Sequence, residues 1–305
     1  MGEQWTIERL LPAGVLNGEC PLWDSRIGRL WWVDVRGAAL HQFDPVTGQD
    51  SVWEMPSWIG ACYLTDMGVA VTLRGGLYLF DATDGSLEFA AGPPFNARQF
   101  TFNDGRCDRA GQLFGGTMTV PLPPQNPGLP ERQPLFRYDG QGRWTPVTDP
   151  VRTSNALAWS PDGRVMYHAD TRQKTVWAYD YDQPNGAVSN KRVFVTVDIP
   201  GASGPDGACV DRDGYFWVAV FGGGCVLRFD PAGKLERRIE MPCRYPTMPA
   251  FGGPGLETLY VTSANHPLSE AERKARPEEG NLYRMSAPVG GVAEAVFGGG
   301  SGSWT

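Results

Sequence analysis

Several features that usually announce a function are missing from this chain. It has only three histidines, His41, His168 and His266, in unrelated local settings, and it has no Gly-x-Ser-x-Gly elbow. Triad-type nucleophilic hydrolysis is therefore not expected, and His168, beside Tyr167 in a strand, reads as a packed histidine. No apolar run approaches the ~20 residues needed to span a bilayer. The start, Met1 to Trp5, has no basic stretch leading into an apolar one, so no secretory leader is expected. There is no basic block, and a net charge of −7 argues against nucleic acid or an anionic membrane as partner. The six cysteines (20, 62, 107, 209, 225 and 243) are dispersed and form no CxxC pair. That pattern suits a reduced, cytoplasmic protein in which Cys209 and Cys225 pack as small hydrophobes. Amphipathic helix is also nearly absent. The exception is Ser269 to Arg276, where Ser269 and Glu272 can form a capping box.

What is present is turn chemistry mixed with aromatics: 39 glycines, 26 prolines and 11 tryptophans in 305 residues. One unit recurs, an apolar strand, a turn with glycine, and a second aromatic or β-branched strand. It appears as LWDSRIGRLWWVD (22–34), CYLTDMGVAVTL (62–73) and CDRAGQLFGGT (107–117). It returns as LAWSPDGRVMYHAD (157–170), CVDRDGYFWVAV (209–220) and AFGGPGLETLYVT (250–262). The turn glycines fall at 28, 68, 111, 163, 214 and 255. Most units are followed by a strand ending in Asp before another turn, as in HQFDPVTG (41–48) and RFDPAG (228–233). Two hairpins per unit make one four-stranded blade, and six units make a six-bladed, all-β propeller. One domain is expected over 1–297, with 298–305 a linker-like tail. Ring closure is expected where Ile7–Leu11 pairs near Val292–Phe297, and pairs such as Trp31-Trp32 are expected to pack blades.

The first strand of each blade lines the central channel. Eight residues before Gly111, Gly163 and Gly214 lie Asn103, Asn155 and Asp206, and nine before Gly28 lies Glu19. The other two blades place Gly60 and Thr247 there. Equivalent positions must converge on one end of the channel, so four oxygen-bearing side chains are expected to meet. Carboxylates brought together repel unless a proton or cation lies between them. Glu19, Asn155 and Asp206 offer only oxygen donors, which suit one hard divalent ion with open positions for water or substrate. Cys20, beside Glu19, is expected by strand alternation to face the core.

At these residues the chain resembles the gluconolactonase, regucalcin and luciferin-regenerating-enzyme family. The likeness runs from about Gly18 to Ser286 and rests on GECPLW (18–23), FNDGRCDRAGQLFGGTM (102–118), SNALAWSPDGRVMYHAD (154–170), GPDGACVDRDGYFWVA (204–219) and FGG (251–253). It implies a six-bladed propeller with one divalent cation, held by Glu19, Asn155 and Asp206. Asn103 is implied to contact substrate or metal-associated water. The implied activity is opening of a sugar lactone to its acid by an activated water, with Asp206 as general base. Calcium, zinc, manganese, magnesium and iron all suit oxygen ligands. The competing readings are an arylesterase or phosphotriesterase on the same scaffold, and a non-catalytic propeller binding calcium or a protein partner. In one respect the chain departs from the family: many relatives carry arginine, to bind sugar hydroxyls, where this chain has Thr101. Several also carry an acidic residue after GTM, where this chain has Thr119-Val120-Pro121-Leu122-Pro123. Thr101 itself and Arg98 are the candidates to serve substrate binding in place of the missing arginine, Arg98 against a plain surface role. The proline-rich segment Pro121–Gln133 is expected to form a rim loop over the pocket.

Overall fold

A computed structural model describes residues 5–120 and 132–298. The bulk of the predicted rim loop (121–131) and residues 299–305 of the tail lie outside the described residues. Six antiparallel sheets of four strands each form six blades. The innermost strands are Gly18–Asp24, Ile59–Thr65, Phe100–Cys107, Ser154–Trp159, Gly204–Val210 and Pro246–Gly252, numbered here as blades 1 to 6. Each innermost strand contacts those of both neighbouring blades, so the six close a ring around one axis. The expected six-bladed propeller is observed.

The turn glycines explain why the hairpins are so regular. Gly28, Gly68, Gly111, Gly163, Gly214 and Gly255 all have positive φ, between 65° and 147°, a region open to residues without a Cβ. Each links the first strand of its blade to the second. The blades then stack through aromatic side chains: Trp32, Trp159 and Trp217 are fully buried, and Trp53 of blade 1, itself packed on Trp31, meets Phe80 of blade 2 at 5.4 Å. Helix is confined, among the described residues, to Glu270–Ala275 and two 3-10 turns. The predicted capping box between Ser269 and Glu272 is present. No helix among the described residues is long and apolar enough to cross a membrane.

Closure differs from expectation. Glu8–Leu11 pairs with Leu282–Ser286, in register Glu8↔Arg284 and Leu11↔Leu282, and completes blade 6 as its outermost strand. The reason is the free edge of Leu282–Ser286, which needs a partner to become an interior strand. The segment predicted for that role takes another path. Gly291 bridges to Asp211 just past the innermost strand of blade 5, and Phe297 bridges to Thr65 at the end of that of blade 2. Between them Glu294 lies 3.6 Å from the buried Arg106. The C-terminal segment therefore crosses the mouth where the innermost strands end, leaving the opposite mouth, where they begin, for access.

A bulge marks the beginning of every innermost strand. Pairing with the second strand slips between Glu19 and Leu22, Ile59 and Ala61, Phe102 and Gly105, Asn155 and Ala158, Pro205 and Ala208, and Pro246 and Pro249. A bulge bends its strand and re-aims the local side chain. In blades 1 and 4 it forces Cys20 and Ala156 into the left-handed region, at φ 47° and 56°. Cys20 is buried as expected. The bulge, however, breaks the alternation, and its Sγ lies 3.4 Å from the Cys62 carbonyl oxygen of the next blade.

The same close approach explains why blade 2 offers no polar group at the mouth. A Cβ on Gly60 meets the Phe102 carbonyl carbon at 2.7 Å, so only glycine lets blades 2 and 3 come together. Gly60→Ala should lower stability by about 1–3 kcal/mol, the usual cost of overpacking, measured by chemical denaturation. Stability equal to the parent's would show that the two backbones are not held at this distance.

Candidate active site

The open mouth leads into a cavity of about 330 Å³ lined by Glu19, Asn103, Asn155 and Asp206, among others. These four come from the innermost strands of blades 1, 3, 4 and 5, so residues far apart in sequence share one small volume. Their expected convergence is observed. The equivalent residue of blade 6, Thr247, does not join them. Its hydroxyl is bonded to the Gly18 carbonyl and to Thr262 Oγ1, so it joins blade 6 to blade 1.

A chain of amide hydrogen bonds orders the four. Asn103 Nδ2 donates to Asn155 Oδ1 at 2.8 Å and to the Ser154 carbonyl at 2.9 Å. Asn155 Nδ2 donates to Asp206 Oδ1 at 2.7 Å and to Thr171 Oγ1 at 2.8 Å. Thr171 in turn donates to the Pro205 carbonyl at 2.8 Å. Both amides have thus used their two hydrogens, and what each has left to offer a ligand is oxygen lone pairs.

The carboxylates are under strain as charges. Burial raises Glu19 well above the ordinary carboxylate range, and the nearby Asp206 and Asp104 raise it further, while the Cys20 amide offsets a smaller part. Asp206 is raised in the same way, first by burial and then by Asp104, with the Gly207 amide opposing. Asp104 itself is pushed up to about 6 by burial, although it accepts a hydrogen bond from the Leu157 amide at 2.9 Å. Its Oδ1 has no partner among the described residues. Among the described residues no three His, Cys, Asp or Glu side chains gather as a metal cluster. The set is two carboxylates plus an amide oxygen. Glu19, Asn155 and Asp206 fit a hard divalent cation by donor chemistry, since oxygen donors with spare lone pairs and unrelieved negative charge are what such an ion takes.

The other two predicted substrate residues are not brought into this cavity. Thr101 is fully buried, pairs across the blade with Met118, and does not line the cavity wall. Arg98 is exposed and borders a separate depression with Ser57, Arg74 and Tyr78. His168 is buried against Ser154 Oγ at 2.7 Å, and burial lowers it to about 4, in keeping with a packed neutral histidine.

Counting along innermost strands overlooked a second set of lining residues. Arg36, Met118, Thr119, Thr171, Arg172, Phe221 and His266 all lie at or just beyond the end of their blade's second strand. That end is the antiparallel partner of the first strand's beginning, as in Glu19↔Val33 and Asn155↔Ala169. The signal was available: a second count, from the end of each unit's second strand, reaches the same mouth. His266 stacks on Phe221 at 5.7 Å, and burial, then the charge of Arg36, lowers it to about 4, so it is a neutral wall of the cavity.

The geometry defines a closed propeller with an accessible polar cavity lined by two carboxylates. The sequence matches the SMP-30/Gluconolactonase/LRE-like region over residues 17–265, and the chain belongs to this family. It is 37% identical over 283 residues to 6-deoxy-6-sulfogluconolactonase of Pseudomonas putida, covering 92% of this chain and 95% of that protein. It is 33% identical over 301 residues to pentonolactonase XacC of Haloferax volcanii, covering 95% and 97%. Among solved structures it is similar to a calcium-binding protein, regucalcin, from Agrobacterium tumefaciens, with a TM-score of 0.88 and 28% identity over 96% of this chain and 98% of that one.

A raised carboxylate contributes its full stabilisation below its ordinary pKa, and that contribution is lost as pH climbs through the folded value. For Asp104 the window runs from 3.8 to about 6, and Glu19 and Asp206 extend the same trend upward. In chelator at pH 7.5, Asp206→Asn should therefore melt above the parent protein, by about 1.5–2 °C per kcal/mol of repulsion relieved. The difference should shrink toward pH 4. Thermal melts across this range check it, and a pH-independent difference would contradict the charge confrontation.

Proposed function

We propose that this protein hydrolyses a sugar lactone to the corresponding acid in the cavity at the open mouth, with one divalent cation held by Glu19, Asn155 and Asp206. The observation that carries the reading is the meeting of these three oxygen donors from separate blades, with both carboxylates raised by burial and by neighbouring carboxylates. Relatives named as lactonases, sharing more than 30% identity along nearly their full lengths, support the same chemistry.

When bound, the cation supplies positive charge that polarises the ester and lowers the pKa of adjacent water. Asp206 accepts the proton of the attacking water. Its Oδ1 is fixed by the Asn155 amide, which leaves Oδ2 available as the basic atom. Asn103 has committed both amide hydrogens to the protein, so it presents its carbonyl oxygen to a substrate hydroxyl and orients the ring. Thr171 holds the Asn155 amide in the plane this requires. Phe221 and the neutral His266 form an apolar face against which a sugar ring can lie. No serine, cysteine or histidine is needed as nucleophile, so no acyl-enzyme forms.

Asp206→Ala should reduce kcat/KM for lactone opening by at least about 100-fold, as expected for loss of a general base, and should also abolish stabilisation by added divalent cation. Proton release from aldonolactones with and without chelator measures the first, and thermal shift the second. Full turnover in chelator, or by the alanine variant, would refute the scheme. Binding of cation with no turnover of any lactone would favour a non-catalytic propeller.

A further inference from the structure

The cavity has two electrically opposite zones, and the mechanism uses only one. Glu19 and Asp206 form its acidic floor, while Arg36 and Arg172 line it as well. Arg36 lies two residues beyond the second strand of blade 1 (Arg29–Asp34), and Arg172 two residues beyond that of blade 4 (Val165–Asp170). In a ring of six, blades 1 and 4 face each other, so equivalent positions on opposite blades both carry arginine.

Among the described residues, Arg36 and Arg172 take part in no ion pair, unlike Arg26, Arg106 and Arg228. The carboxylates closest in sequence are committed to backbone. Asp34 accepts from the amides of Leu16, Asn17 and Gly37. Asp170 accepts from those of Arg152, Thr153 and Arg172. These bonds fix both loops without neutralising either arginine. Arg36 is also half-buried and lies over the Trp58 ring at 4.9 Å. Stacking holds the guanidinium plane and leaves its N–H edges free, the arrangement that suits a planar or tetrahedral oxyanion. Arg172 is exposed, but leaving the partly desolvated Arg36 without an anion is costly unless a ligand brings one.

We propose that the lactone carries an anionic substituent, a carboxylate, sulfonate or phosphate, at the end away from the ester, and that Arg36 and Arg172 bind it. This rests on the lactonase reading of the floor. The arginines thereby set both specificity and direction: the charged end is held by the rim and repelled by Glu19 and Asp206, so the ester end enters toward the floor. Because they touch the substrate away from the bond that breaks, their contribution is to binding more than to the chemical step.

The test compares glucono-δ-lactone with glucarolactone and 6-phosphogluconolactone on the parent protein, Arg36→Met, Arg172→Met and the surface control Arg143→Ala. The parent should favour at least one anionic lactone over the neutral one by about 10- to 100-fold in kcat/KM, the range for one charge-assisted partner. Arg36→Met and Arg172→Met should each shrink that ratio, mostly through KM, and Arg143→Ala should leave it as in the parent. Calorimetric binding of 6-phosphogluconate against gluconate to the same proteins in chelator gives a readout independent of turnover, and should follow the same order. The two charged substrates distinguish a carboxylate from a phosphate preference. Equal use of neutral and charged lactones by the parent would overturn the inference while leaving the lactonase reading intact. So would an unchanged ratio in both methionine variants. If the parent opens no lactone, the lactonase reading fails and this inference fails with it.

Discussion

Closing the ring forces buried negative charges to face one another, and much of the molecule can be understood as the structure that maintains this. Six innermost strands packed side by side bring Glu19, Asp206 and Asp104 together, and burial and the neighbouring carboxylates raise their pKa values. In solution three carboxylates would separate. Here each sits on an innermost strand hydrogen-bonded to the second strand of its own blade and held by apolar packing between blades, built on fully buried tryptophans such as Trp32, Trp159 and Trp217. The hydrophobic contribution of such burial, roughly 25 cal/mol per Å², is spread over the whole ring, whereas the repulsion is concentrated at one point. A propeller can bear that imbalance because no single blade can relax without breaking its contacts with both neighbours.

The bulges convert this architecture into a site. A regular strand would alternate, and half of its side chains would face the adjacent blade. Slippage at the beginning of every innermost strand turns one residue toward the axis, and the following residue pays with an unusual backbone, as at Cys20 and Ala156. Gly60 and Thr247 show the same position used structurally, for close packing and for joining blades 6 and 1. A six-fold scaffold thus becomes a one-sided site through the choice of side chain at six equivalent places.

Much of this was legible in the sequence, because turn glycines and blade strands are local signals. Gly111, Gly163 and Gly214 require positive φ, and counting back from them reached Asn103, Asn155 and Asp206. Longer-range features were not legible in the same way. The partner of Glu8–Leu11 depends on which strand edge is left free after folding, and periodicity does not record that. Asp104 was passed over because alternation hides it beside Asn103, yet the bulge between Phe102 and Gly105 brings its charge to bear on Glu19 and Asp206. Arg98 was chosen for its nearness in sequence to Thr101, but antiparallel folding brings distant loops together instead, and the arginines it places at the mouth are Arg36 and Arg172.

Thr101 gives that last difference a physical meaning. Where many members of the family carry arginine on the innermost strand of blade 3, this chain has a buried threonine whose hydroxyl finds no partner among the described residues. That threonine stands outside the cavity wall, and the arginines that do line the cavity lie on two loops pinned by Asp34 and Asp170. A field that reverses sign between rim and floor orients a dipolar ligand before any specific contact forms, because the low-dielectric walls between the zones do little to screen it. On the proposed reading, selectivity would follow from where the charges lie along the axis as much as from the fit of the pocket to a sugar ring.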